Sequence, residues 1–500
     1  MKMKYLKYKL IAMILGFNLI ISSCKDYLEM QPINQTSGNE FWTSKGSSDQ
    51  ALAGAYALLR KALLNGGSDA RFMLYGEYNG NIMKHYGYSN ADKFNDASFW
   101  NSDGDEFKWG TFYQIIAQCN LILLKTKELD ESLFKNDKVI NGKIGKQKIL
   151  GEAYFLRAFT YFYLTKVWGD VPLVTDAVVT VGQIITKDGY IKNVPRDPEI
   201  KVLEQCIADL KLAGSYLEYG KVGSDEWAVR ANKGAVQALM AHIYLWMHKP
   251  AESEVAADSV IQHGGYSLVD YSDSMVVMHM FTGRSTEGIF ELNINYDQSE
   301  SYTDGFAQST LVKPWLYNKE FDDDNWVVQK DYMSSLYEGK DLRIKRFFGL
   351  WDEEKPIILK YADIIYENPA EHINAHSNNN IILFRLSDIF LLRSEALANL
   401  GRFSEARILL NTIRERAGAT PNTGPDADLQ YAIFQEREME LIGEGHTFFD
   451  RIRGNEWTNI DWMTISRKEL KGYYWPLPSS YIINNPLLTQ NPFWAYTKWQ

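Results

Sequence analysis

Two residue patterns in this chain could carry chemistry. The first is a stripe of acids: Glu436, Glu440 and Glu444 stand four residues apart, with Arg437 alongside and Arg451 and Arg453 soon after. Carboxylates at that spacing share one helical face and repel unless cations lie opposite. The local arginines are the expected partners, closing a charged lock between this helix and its neighbours. A catalytic reading of the stripe ranks far below, because structural ion pairs mimic active sites. The second pattern sets aromatic rings beside amides or acids in loops: Phe99-Trp100-Asn101, then Tyr296, Tyr302 and Trp315. Sugar rings present C–H faces that stack on flat indole and phenol rings, and a few polar groups then fix their orientation. Loops on a rigid scaffold are the usual place for such groups. These six residues are the candidate ligand site, although a single aromatic in a chain with 30 tyrosines and 14 tryptophans is more often core.

Other chemistries find little support. Neither GxSxG nor HExxH occurs. His372 and His376 stand at i, i+4, but in an Asn-rich stretch with no third ligand. Asp103, Asp105 and Glu106, or Asp322 to Asp324, do not follow the register of an EF-hand calcium loop. A glycosidase needs two positioned carboxylates, one with a raised pKa. With 63 acidic residues any pair can be nominated, so none stands out. No metal or cofactor is expected. Cys119 and Cys206 lie in helical apolar stretches and read as buried free thiols. No basic run is present, which argues against nucleic acid as a partner.

The elements that must position these residues are helical. Leu386, Ile389, Phe390, Arg393, Ala396 and Leu397 recur at three- and four-residue spacing, giving a largely apolar face. Gly401 breaks the run, Ser404 with Glu405 offers an N-cap, and Gly418 sits where a left-handed C-cap belongs. This hairpin has the layout of one tetratricopeptide unit. Four such pairs are predicted: 48–64 with 107–126, 147–168 with 197–213, 231–247 with 251–262, and 385–399 with 404–417. Within the second pair, Arg157 and Glu152 read as a helix-packing ion pair. Long insertions break any strict 34-residue period, so the array is degenerate. Residues 68–106 and 266–382 read as loops, the latter with short β pieces such as 288–294, and 174–196 as a loop around Gly182 and Gly189. The expected fold is mostly α: degenerate tetratricopeptide-like repeats (about 48–265 and 384–453) carrying a loop-rich ligand side (about 68–106 and 266–382). The C-terminal segment, Tyr473 to Trp499, is expected to pack across the array.

The N-terminus has Lys2, Lys4, Lys7 and Lys9 before an apolar run from Leu10 to Ile21, too short to span a bilayer. Ile21-Ser22-Ser23-Cys24 follows, so residues 1–23 read as a lipoprotein signal peptide cleaved before a lipidated Cys24. Residues 24–45 are then a tether and 46–500 a single domain. Cleavage removes four lysines and no acid, moving the formal net charge from −10 to −14.

Several segments resemble one family. Glu436 to Arg453 reads ERxxELxxEGxxxFDxxR, Phe384 to Gly418 contains LRxExLxxxG and LNxIRxRAG, and Pro476 to Pro492 contains PLP and NPLLTQNP. With WxxxYxxIxxxN from Trp109 and the 147–168 helix, these resemble the SusD/RagB-like outer-membrane lipoproteins of Bacteroidota. The resemblance implies a non-enzymatic, surface-exposed protein lipid-anchored in the outer membrane. Such proteins form a lid over a SusC-like, TonB-dependent transporter, capture an oligosaccharide and deliver it. A peptide ligand, as the RagB resemblance permits, is the alternative. A surface glycoside hydrolase, or a scaffold that only contacts its transporter, ranks lower. The family's ligand residues vary, so none is carried over.

Overall fold

The computed structural model describes residues 41–64, 70–85, 89–97, 104–135, 142–177, 194–294 and 305–496. The signal segment, Cys24, most of the tether and the Gly182–Gly189 stretch lie outside these residues. Ten helices carry the architecture: α1 (Lys45–Leu64), α2 (Gly110–Glu128), α3 (Gly142–Trp168), α4 (Glu199–Tyr216), α5 (Lys233–Trp246), α6 (Pro250–His263), α7 (Leu386–Asn399), α8 (Phe403–Arg416), α9 (Leu429–Leu441) and α10 (Thr447–Gly454). No helix among the described residues is long and apolar enough to cross a membrane.

All four predicted hairpins form, as α1/α2, α3/α4, α5/α6 and α7/α8, and each helix of the series packs on the next. Apolar residues at helical spacing drive this; Leu52, Ala55 and Leu59 of α1 are fully buried. Asn232 caps α5 by accepting hydrogen bonds from the amides of Gly234 (2.8 Å) and Ala235 (3.2 Å). Pro250 occupies the first position of α6, where its missing N–H costs nothing. Gly418 takes a left-handed φ of 70° just past α8, as its position predicts. The start of α8 differs from expectation. Arg402 precedes the helix and pairs with Glu405, and Ser404 lies inside its first turn rather than capping it.

Segment 68–106 is not the plain loop its Asn- and Gly-rich composition predicts. It contains a helix (Arg71–Gly76), a 3-10 turn (Tyr78–Gly80), β1 (Met83–His85) and a second helix (Ser89–Asp96). Phe72, Met73, Leu74 and Tyr75 are core. Gly76 is there for close approach, since a Cβ would stand 2.2 Å from the Gly445 carbonyl oxygen.

The insertion 266–382 adds β2 (Gly288–Leu292), β3 (Trp326–Val328), β4 (Phe348–Gly349), β5 (Ile357–Ile358), β6 (Ile364–Asn368) and β7 (Ile373–Ser377). β8 (Ile381–Arg385) follows immediately. They pair antiparallel as β1–β3, β2–β8, β4–β5 and β6–β7, with a register shift at Phe290 in β2–β8. The C-terminal segment crosses the array: Trp475 lies 5.2 Å from the Tyr75 ring and stacks on Phe94 at 4.7 Å. Cys119 and Cys206 are buried free thiols, and burial pushes the Cys119 thiol up to about 12.

Candidate ligand-binding face

The acid stripe forms a lock, but not with its local arginines. Arg343 and Arg414 hold Glu436 at 2.7 Å each. Glu440 takes Arg385 at 2.7 Å, Arg416 at 2.6 Å, Arg343 at 3.1 Å and the Tyr271 hydroxyl at 2.6 Å. Glu444 takes Lys360 at 2.5 Å and Arg385 at 2.8 Å. Arg437 instead bonds Asp450 and Asp388, Arg451 bonds Glu438, and Arg453 bonds Glu395 and Asp450. The reason is geometric. α9 ends at Leu441, so Glu436 and Glu440 share its face while Glu444 stands in the turn beyond it, and all three take cations from the segments they pack on and not from the next turn. With Glu287 and Asp341 added, five buried acids face the cations Arg343, Arg385, Arg414, Arg416 and Lys360. The cluster is neutral and fastens the insertion to the helical array.

The same correction applies in the array. Arg157 makes a bidentate bond to Asp209 at 2.7 Å, while Glu152 takes Arg230 at 2.6 Å and the Tyr56 hydroxyl at 2.7 Å. The sequence also gave no sign that Glu77 reaches Glu444's turn. Its carboxylate accepts from the amides of Gly445 (2.6 Å) and His446 (3.1 Å) and from the Thr447 hydroxyl (2.9 Å).

These acids are poorly placed for catalysis. Burial pushes Glu440 up, but Arg416, Arg385 and Arg343 outweigh it and hold the carboxyl well below the usual range. Burial raises Glu77 and Glu438 to about 7, the range of a general acid. Both side chains are closed to solvent, at 0% and 1% exposure, so no substrate oxygen can reach them.

The open face of the insertion is aromatic. The β6–β7 hairpin aligns Tyr366 with Ala375, and its turn places His372 at a left-handed φ of 52°. Tyr317, in a turn of its own, stacks on His372 with ring centres 4.2 Å apart and planes 17° apart. The Tyr366 ring meets His372 edge-on at 5.1 Å, and the Tyr366 hydroxyl accepts from the Tyr317 amide at 3.0 Å. Tyr317 remains 53% exposed. Trp315 is half-buried on a small core of Leu311, Val312, Leu316, Ile357, Ala362 and Ala375. Its ring lies against Gly349, where a Cβ would be 2.5 Å from the ring edge.

Of the sequence-predicted site, Trp315 alone falls in the described residues. Phe99, Trp100, Asn101, Tyr296 and Tyr302 lie outside them. The structure adds Tyr317, Tyr366 and His372 to Trp315. Ile364-Ile365-Tyr366 before Asn368-Pro369 and Ile373 after it carry the strand and turn signal that would have found the last two. His372 and His376 are not a metal pair: one stacks on Tyr317, while the other is buried and bonds Glu367 at 3.1 Å. Asp322 is likewise engaged, by Lys319 and the Asp324 amide. No group of three metal-ligating side chains occurs among the described residues.

Comparison with known proteins matches most of the chain. The SusD family matches residues 290–494, and a family described as starch-binding and associating with the outer membrane matches residues 26–245. A SusD-like protein of Formosa agariphila is 27% identical, over 94% of this chain and 96% of that protein. A SusD-like protein of Bacteroides ovatus is 23% identical, over 91% and 84%. The crystal structure of a SusD homologue from Bacteroides thetaiotaomicron matches with a TM-score of 0.75 at 25% identity, over 91% of this chain and 99% of that one.

Proposed function

The chain belongs to the SusD/RagB-like family, and from that premise we propose that it is a glycan-binding lipoprotein of the outer-membrane surface. Cys24 carries the lipid, since several acyl chains at roughly 0.8 kcal/mol per buried methylene hold a protein on a membrane. The protein captures an oligosaccharide and passes it to a SusC-like, TonB-dependent transporter, breaking no bond. The observation that carries this reading is Tyr317, an exposed ring stacked on His372 with its backbone amide held by the Tyr366 hydroxyl. A ring fixed in this way has little orientational freedom to lose when a sugar stacks on it. The insertion that bears it is fastened by the charged lock, which meets the need for a rigid base.

The test is affinity electrophoresis of residues 25–500 through gels containing starch and other polysaccharides. Retardation by at least one glycan is expected, weakened about fivefold in Tyr317→Ala; an aromatic contact is worth roughly 1 kcal/mol and 1.4 kcal/mol is tenfold. Retardation by none, with binding to a peptide library, would replace the glycan by a peptide.

A further inference from the structure

A cleft of about 550 Å³ opens between the start of α4, the end of α5, the end of α10 and residues 471–474. It shares no lining residue with the Trp315–Tyr317 platform. The half-buried Tyr473 supplies ring surface, Ile200 and Ile452 supply aliphatic surface, and Trp246, 8% exposed, forms part of the wall. Glu199 sets the rings in place. Its two oxygens accept from the Trp246 indole N–H at 2.5 Å and from the Tyr474 hydroxyl at 2.9 Å. Tyr473 is steadied from behind by Trp457, stacked at 5.7 Å.

Three exposed polar groups on the lining remain for a ligand. Asp170 uses one oxygen on the Glu199 amide at 2.8 Å and keeps the other. His248 and Lys471 make no side-chain hydrogen bond among the described residues. Both sit in the left-handed region, at φ of 55° and 54°, which non-glycine residues seldom occupy. Backbone hydrogen bonds fix them there, from Lys249 N–H to the Tyr244 carbonyl (2.8 Å) and from Gly472 N–H to the Arg467 carbonyl (2.7 Å). These are the left-handed turns that end two helices, and they fix where both side chains stand on the rim of the cleft.

The chemistry of the cleft selects its ligand. An anion meets Asp170 and Glu199, and a cation meets Lys471 and Arg453. A neutral sugar carries hydroxyls that both donate and accept, matching one free carboxylate oxygen, one imidazole and one ammonium beside ring faces. We propose that this cleft is a second saccharide-binding site, taking a neutral oligosaccharide independently of the Tyr317 platform. The inference rests on the glycan reading above.

Isothermal titration of residues 25–500 with maltoheptaose, cellohexaose, xylohexaose and laminarihexaose tests it, alongside the His248→Ala/Lys471→Ala double variant and Tyr317→Ala. Both substituted sets are exposed, and thermal melts verify folding. The expected result is two sites per chain for at least one sugar, with one site weakened about tenfold or more in the double variant and the other in Tyr317→Ala. One site per chain, lost in Tyr317→Ala and unchanged in the double variant, overturns the second site and leaves the proposed function standing. No binding of any sugar by any form overturns both.

Discussion

Replacing Glu440 by Gln is the sharpest probe of how the insertion is held. The carboxylate faces three guanidiniums, those of Arg343, Arg385 and Arg416, together with the Tyr271 hydroxyl, all buried but for Arg416, whose side chain is 8% exposed. Gln keeps the shape but removes the charge, leaving the buried cluster with one cation in excess. Removing one partner of a buried, hydrogen-bonded charge network costs about 3–5 kcal/mol. The control is Glu226→Gln, whose partner Lys148 lies on the surface, with side-chain exposures of 54% and 41%. An exposed pair of that kind is worth about 0–1 kcal/mol. Unfolding entropy of roughly 2.1 cal/mol/K per residue gives about 1 kcal/mol/K for a chain this long, so 4 kcal/mol lowers Tm by about 4 °C. Thermal melts of the two variants should therefore differ by about 3–5 °C. Equal melting temperatures, within 1 °C, would refute the idea that the buried lock holds the insertion to the array.

Two further outcomes follow from the structure. Burial lifts the carboxyls of Glu77, Glu291 and Glu438 to about 7, so between about pH 4.5 and 7 the folded chain holds protons that the unfolded chain has released. These three carboxyls make stability fall as pH rises through that window, while His446, which burial holds down at about 4, works against them. Below it stability falls again, because Arg437 and Arg453 overcome burial to hold Asp450 at about 2. Between about pH 4.5 and 7 the melting temperature of Glu77→Gln should gain on that of wild type as pH rises; parallel profiles contradict this. Gly349→Ala drives a methyl into the Trp315 ring, an overpacking cost of about 1–3 kcal/mol. Polysaccharide retardation should weaken in Gly349→Ala, and retardation equal to wild type would remove Trp315 from the site.

Much of the scaffold was legible in the sequence because helical periodicity is local. Leu386 to Leu397 and Ala406 to Ile413 announce their own helices, and short turns make neighbours of consecutive ones. Long-range pairing was not legible. Arg157 lies five residues from Glu152 yet bonds Asp209, and Glu440 draws its cations from residues 343, 385 and 416. Only the packing of helices decides which stripe meets which. Segment 68–106 misled for a related reason. Glycine and asparagine signal loops, but Gly76 is required by the close approach of Gly445, a contact almost 370 residues away in sequence. At the ligand face, Tyr296, Tyr302 and Trp315 pointed to the region. The partners Tyr366 and His372 come from a hairpin that meets Tyr317 only in the folded chain.

The most direct test of the central claim is a crystal structure of residues 25–500 with the oligosaccharide that retards it most. A sugar ring stacked on Tyr317 is expected, within about 4 Å, the heavy-atom distance of packed groups, with the same oligosaccharide reaching Trp315. An oligosaccharide bound with Tyr317 and Trp315 both bare, or a chain that takes up none, would contradict it.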